Sequence, residues 1–485
     1  MLRTVKTPLV PMCFASLAGG MGWGIRGQYG HETGAMLAGL LVALVLVYFF
    51  AYQFSSIDVA RAVALATIAI GFGGSMTYGQ TLGLTQDFPL IGNFSSLRWG
   101  LIGTFIKGSI WIGFFGLFLG IGLGGKKYSL FEILLILFVS IFFLYLGLFI
   151  LNEPFDPTNK KLPFIYFSDD WYWEPGESLK PRREQWGGLL FALSFLFSYI
   201  SFIKKDILAR NLTLWGLLAG GFGFTIGQSI QAFHAWNVNE IKNGFLSTIY
   251  PFINWWNMME ITFGALFACI ITLGLWYNRH HISSNNDSNS LKLGMKTEFV
   301  LLAVHVIALL TWNFTSFSTF DWFADRAITM GIIPIVAIMG GRMWPYLVCL
   351  PITALPIAGK TLRYLAYRSN DVSLIIGWVI YFIIPLILIS WYCIRLIRNN
   401  DYQSIGINFI RYTLFANVIF YFYMNWAFFN YPWPWTNWTM RTPSGIIFII
   451  CTTGILLLIN FYQPHKDKWS FRSYSKWDSD SYSEI

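Results

Sequence analysis

Residues 20–36 read GMGWGIRGQYGHETGAM, a window that sets Arg26, Gln28, His31 and Glu32 among six glycines. Apolar chain flanks it, most clearly the run from Leu37 to Phe50. A charged side chain inside hydrocarbon is costly, so it faces a cavity, a partner charge or the interface. Each glycine inside a helix costs roughly 1 kcal/mol against alanine, so a helix is expected to break or end here. Unwound backbone at membrane depth persists only where protein covers it or where it lines a watery cavity. The four polar side chains are therefore expected to line a polar pocket. Arg26 would counter negative charge on a solute there, Gln28 would donate and accept hydrogen bonds, Glu32 would bind proton or substrate, and His31 or Glu32 would be general base if the pocket is catalytic.

The same chemistry recurs at other expected span ends. Gln80, Arg98, Gln228, His234, Asn257 and Glu260 complete the expected substrate-binding set, and Asp321, Asp325 and Arg326 occupy similar places later in the chain. Glu260 lies about one helical turn inside its apolar segment, Trp256 to Trp276. A carboxylate at that depth holds a proton, binds ligand or pairs with an arginine, for which Arg26 and Arg98 are the candidates. No metal and no cofactor is expected. The histidines and acids lack ligand spacing, and the five cysteines stand singly inside apolar runs as small core residues. No phosphate-binding glycine loop and no Gly-x-Ser-x-Gly elbow occurs.

The elements that hold these residues follow from composition. The chain is 55% hydrophobic and 12% charged, whereas a soluble domain carries about 25% charged residues. Apolar runs such as Trp99 to Leu123, Phe131 to Leu151 and Leu374 to Ile394 have the length needed to cross about 30 Å of hydrocarbon. The 22 tryptophans and 45 phenylalanines suit the two interfacial belts. The expected fold is an all-α polytopic membrane protein. Its net charge of +9 resides in short loops between spans, which is an orientation signal and not a nucleic-acid footprint.

Placing the basic loops in the cytoplasm predicts about fourteen spans with both termini inside. They fall at 8–26, 33–53, 60–80, 98–124, 129–150, 186–203, 211–233, 253–277, 297–316, 326–341, 343–358, 372–395, 406–427 and 443–462. Lys360, Arg363 and Arg368 then fall outside, so either 327–358 crosses differently or this basic stretch serves the external face. Residues 152–185 read as an external polar loop. The expected organisation is an eight-span unit of four hairpins at 1–281, a linker at 282–296, a six-span unit at 297–463 and a cytoplasmic tail at 464–485.

An internal repeat is also legible. GGSMTYGQTL at 73–82 and GFGFTIGQSI at 221–230 share Gly-x-x-x-Thr-x-Gly-Gln, and Gly27-Gln28 is a partial third copy. Repeats and broken helices mark many transporter folds. The function expected is a transporter or flippase-like permease for a polar solute, sugar-containing or anionic. A membrane-embedded transferase acting on a lipid-linked substrate at the outer leaflet is the alternative. The expected partners are membrane lipids and that substrate, without nucleic acid; a scaffold subunit of a larger membrane complex is the third alternative. A bacterial inner membrane or a plasma membrane is the expected location.

Overall fold

A computed structural model describes residues 5–27, 29–30, 32–76, 78–168, 181–284, 292–314, 331–369, 371–398, 406–429, 437–464 and 468–469. Among the described residues the regular structure is helical, apart from a two-residue antiparallel pairing, Tyr462–Gln463 with Lys468–Trp469, and an isolated bridge between Asp156 and Lys161. The helices of the first half are α1 (Leu9–Arg26), α2 (Glu32–Phe50), α3 (Ser56–Gly73), α4 (Gly79–Gln86), α5 (Phe94–Leu123) and α6 (Leu130–Leu151). They continue with α7 (Trp186–Ser198), α8 (Ile207–Trp236), α9 (Val238–Asn243) and α10 (Trp255–Tyr277). The second half holds α11 (Met295–Phe314) and helices at Ile332–Gly340, Trp344–Arg368, Leu374–Arg398, Gly406–Phe429 and Thr442–Phe461.

Among the described residues, nine helices are long and apolar enough to cross a bilayer. Length and apolarity therefore support nine spans where hydropathy and loop charge predict fourteen. Helices α1 and α8 have spanning length but are diluted by glycine and glutamine. That dilution is tolerable because α8 packs between α5 and α10, and α1 between α2 and α10. Burial sorts the apolar helices into two kinds. The Thr33–Phe50 stretch is wholly enclosed by protein, whereas few residues of Leu374–Arg398 are fully buried and about half are exposed, as on a helix with one face to lipid.

Three expected boundaries change. The span at 60–80 ends at Gly73, and α4 is a separate short helix after a turn. Helix Ile332–Gly340 has nine residues, about 14 Å of rise, too short to serve as the span placed at 326–341; residues 326–330 lie outside the described set. The span placed at 343–358 continues to Arg368 through π-type turns at Val348–Ile352 and Arg363–Arg368. Lys360, Arg363 and Arg368 thus sit on the last turns of one long helix. The Tyr29 hydroxyl lies 3.0 Å from Thr361 Oγ1, which brings that end beside the glycine-rich turn.

The loops carrying basic residues gather at the other end. Ser283 donates its backbone N–H to the Leu123 carbonyl at 3.0 Å, and Asn211 Nδ2 donates to Asn278 Oδ1 at 2.7 Å. The Trp276 indole reaches the Val5 carbonyl at 3.1 Å. Asp206 caps α8 through the Ala209 N–H and accepts from the Tyr128 hydroxyl; burial pushes its carboxyl above the ordinary range against these bonds. The bundle therefore has one end at the loops around Leu123, Asn278 and Ser283 and, opposite it, the end holding Arg26, Tyr29 and Glu260, where Lys360, Arg363 and Arg368 also lie.

Helices α5 and α8 cross with their backbones in close contact. A side chain at Gly108 would run into the Gly220 carbonyl, and one at Gly220 into the Gly108 carbonyl. Small residues let membrane helices approach this closely, where van der Waals packing holds them together. Gly220→Val is expected to lower stability by about 1–3 kcal/mol or more, as overpacking does. Gly79→Ala, where an added methyl meets nothing within 4 Å, should be close to neutral. Thermal melting of the purified proteins in detergent compares the two, and equal melting points would refute the packing assignment.

Candidate functional site

Helix α3 ends at Gly73 and the chain turns before α4 begins at Gly79. This break places Tyr78 at the start of α4 with its ring turned back into the bundle. Its hydroxyl meets the Arg26 guanidinium, 2.7 Å from Nη1 and also bonded to Nη2. Arg26 is the last residue of α1, and its Nη1 also donates to Glu260 Oε1 at 3.0 Å. The rings of Trp23, Tyr78 and Trp111 surround the guanidinium, with centroids 5.4, 5.1 and 5.5 Å away. Arginine over an aromatic face gains further electrostatic attraction.

Glu260 is satisfied on both oxygens. Oε1 also accepts from the Trp256 indole at 3.1 Å, and Oε2 accepts from Asn257 Nδ2 at 3.1 Å. The same Asn257 Nδ2 donates to the Gly24 carbonyl at 2.7 Å, tying α10 to α1. Arg26 is 2% exposed and Glu260 1%. Two glycines of the opening window make room for the pair. A Cβ at Gly27 would stand 2.5 Å from Glu260 Oε2, and a Cβ at Gly34 would stand 2.5 Å from Arg26 Cγ.

A second buried ion pair lies one turn of α4 further on. Lys107 Nζ reaches Glu184 Oε1 at 2.5 Å and Thr81 Oγ1 at 2.7 Å. Glu184 Oε2 accepts from the Phe167 N–H at 2.9 Å and the Trp186 indole at 3.3 Å. A third polar contact follows, where Gln228 Nε2 donates to Thr85 Oγ1 at 2.7 Å and to Gln86 Oε1 at 3.1 Å. Helix α4 is thus a short polar rod. Tyr78 touches the Arg26–Glu260 pair, Thr81 the Lys107–Glu184 pair, and Thr85 the amide of Gln228.

The structure brings together Arg26, Asn257 and Glu260 directly, and links Gln228 to them through α4. It selects Arg26 over Arg98 as the partner of Glu260; Arg98 is exposed near the start of α5. His234 stands apart, stacked on Trp255 with centroids 4.5 Å apart and 3.2 Å from the Tyr250 hydroxyl. Gln80 is half-buried at the second position of α4. Gln28 and His31 lie outside the described residues, and Glu32 opens α2 with its side chain likewise outside them. Asp321, Asp325 and Arg326 also lie outside, as do residues 169–180 of the loop at 152–185.

Sequence reasoning missed Lys107, Glu184, Tyr78 and Thr81. Lys107 was legible as a lone cation inside the α5 apolar run, and Glu184 as the last acid of the 152–185 loop. Tyr78 sits within the repeat, but Ile226 occupies its place in the second copy. The copies also differ in structure. The first straddles the α3–α4 break, whereas the second lies inside the uninterrupted helix α8.

Among the described residues, no three His, Cys, Asp or Glu side chains converge on one point. Comparison with family models, with curated proteins and with solved structures finds no match to this chain. What the fold defines is a class: a helical bundle with nine helices, among the described residues, long and apolar enough to cross a membrane, as a multi-pass membrane protein requires.

Breaking a buried pair by removing one partner costs about 3–5 kcal/mol, while replacing both with apolar residues is often neutral. Lys107→Met and Glu184→Leu singly should each lower the melting point steeply, and the double variant should regain most of the loss. Additive losses in the double variant would show that the two residues do not act as a pair. Gly27→Ala is expected to weaken the Arg26–Glu260 contact by pushing the carboxylate aside, read as a further loss of melting temperature that is smaller in the Glu260→Gln background.

Proposed function

We propose that this protein is a membrane transporter, a permease for a polar solute, whose substrate-responsive element is the Arg26–Glu260 pair at the α3–α4 break. One observation carries the reading: ionised and amide side chains from α1, α5, α8 and α10 converge on a short helix that follows an interruption in the bundle. Interrupted helices beside polar residues are how secondary transporters build their sites. Ionisable residues within spanning segments mark ion and substrate pathways. A proton or solute that competes for Glu260 releases Arg26 and Tyr78, and with them the start of α4. That gives the bundle two arrangements of one element, which alternating access requires.

A transferase on a lipid-linked substrate has less support. Its reacting group must be reachable from the lipid, and Arg26 and Glu260 are enclosed by aromatic rings and neighbouring helices. The expected location is a bacterial inner membrane or a plasma membrane.

The test is flux. The full-length protein in liposomes should take up at least one labelled solute from a panel of neutral sugars and organic acids, with and without a proton gradient. Glu260→Gln should lower that flux at least tenfold while the protein keeps its elution profile and helical circular dichroism. Unchanged flux in Glu260→Gln would refute the role of the pair, and absence of flux for the whole panel would refute the permease.

A further inference from the structure

Three loops meet at the end of the bundle opposite the Arg26–Glu260 pair. The Ser283 N–H donates to the Leu123 carbonyl at 3.0 Å, joining the segment after α10 to the end of α5. Asn211 and Asn278, 2.7 Å apart, join the start of α8 to the end of α10. The Tyr128 hydroxyl donates to Asp206 at 2.9 Å and closes the third side. On these loops Lys126, Lys205, Arg210 and His280 are exposed, and Arg279 and His281 are half-buried. The acids described there are engaged. Lys204 Nζ pairs with Glu132 at 2.7 Å, and Asp206 is 1% exposed and also accepts from the Ala209 N–H. Lys126, Lys205, Arg210 and Arg279 make no ion pair among the described residues.

Arg210, His280 and His281 gather at the seam of α8 and α10. The two imidazole rings have centroids 4.1 Å apart. Burial first, then the nearby His280 and Arg210, hold the His281 imidazole below its ordinary range, and no described acid offsets them. Arg210 Nε donates to Asn211 Oδ1 at 3.1 Å, which steadies the guanidinium and leaves its two terminal nitrogens for a further acceptor. A guanidinium grips a phosphate through two parallel N–H groups.

The surface that begins at this cluster says what the acceptor is. On α8, Leu214, Leu218, Phe222 and Ile226 follow Arg210 at four-residue intervals and are 46%, 44%, 48% and 45% exposed. Residues four apart are neighbours on a helix surface, so Arg210 heads an apolar stripe that winds along α8. From Leu214 to Ile226 it rises about 18 Å. One leaflet, half of the hydrocarbon core, is about 15 Å deep. Across the seam Tyr277, 54% exposed, stacks on Trp215 with centroids 5.9 Å apart. Aromatic rings of this kind sit at headgroup level. We infer that this seam binds an anionic phospholipid, its phosphate gripped by Arg210 and hydrogen-bonded by His280 and His281, its acyl chains laid along the α8 stripe. Lys126 and Lys205 add positive charge around the headgroup. A soluble phosphate ester would meet the same basic side chains but leave the stripe unused. The inference is independent of the permease reading.

Native mass spectrometry of the full-length protein in detergent reads retained lipid directly. The probes are phosphatidylglycerol and phosphatidylcholine with matched acyl chains, offered separately and in competition, and glycerol 3-phosphate as the soluble headgroup. Phosphatidylglycerol should be retained saturably and at least tenfold in preference to phosphatidylcholine, and glycerol 3-phosphate should not compete with it. A basic side chain beside an anionic leaflet is worth about fivefold in affinity. Arg210→Gln should therefore weaken retention of phosphatidylglycerol about fivefold, and Arg210→Gln with His280→Gln at least tenfold. Both positions are exposed, so these variants should melt with the parent in the absence of lipid. Lys161→Gln removes an exposed charge from the opposite end of the bundle and should bind phosphatidylglycerol as the parent does. Equal retention of the two lipids, undiminished retention in Arg210→Gln, or an equal loss in Lys161→Gln would overturn the inference. Displacement of the lipid by glycerol 3-phosphate would assign the cluster to a soluble phosphate and overturn it as well.

Discussion

A guanidinium and a carboxylate held together away from water set the terms for the rest of this bundle. Two isolated charges inside a membrane protein are strongly unfavourable, and mutual attraction offsets that only with good geometry and further hydrogen bonds. Arg26 and Glu260 receive both. The Tyr78 hydroxyl, the Trp256 indole and the Asn257 amide complete the pair, and three aromatic faces enclose the guanidinium. Meeting these demands requires α1 to end where it does, α10 to present its second turn, and α3 to stop short so that Tyr78 can reach inward.

That last requirement explains the short helix α4. A continuous α3 would carry its residues past the pair, and the turn after Gly73 brings Tyr78, Thr81 and Thr85 to successive polar partners instead. The glycines of the opening window act in the same scheme. They shorten the distance between backbone and ion pair at Gly27 and Gly34, where any side chain would displace Glu260 or Arg26. Helix destabilisation and close approach are two consequences of the same missing Cβ.

Much of the framework was readable from residues alone. The spans at 33–53, 98–124, 129–150, 186–203, 253–277 and 443–462 each correspond to an apolar membrane-length helix within a few residues. The polar ends of α8 and α10, including Gln228, Asn257 and Glu260, were also legible as buried chemistry. Helix α8, expected from the sequence as the span at 211–233, is diluted by glycines and glutamines that neighbouring helices cover. The rest was hidden for physical reasons. The α3–α4 break falls in a stretch whose sequence resembles part of α8, yet the second stretch remains helical. Local composition is similar in the two; their packing partners are not.

The sequence by itself determined that this chain is a bundle of membrane-crossing helices, since a backbone in lipid must bond within its own segment and only long apolar runs can afford to be there. It also determined that Glu260 needs a partner, because a carboxylate at that depth cannot stand alone. Tertiary structure alone decided which partner. Arg26 and Arg98 are equal candidates along the chain, and Lys107 and Glu184 are separated by 77 positions. Choosing among them depends on how each helix is rotated and how far it slides against its neighbours. Those two quantities are set by side-chain packing at contacts such as Gly108 with Gly220, and no hydropathy pattern encodes them.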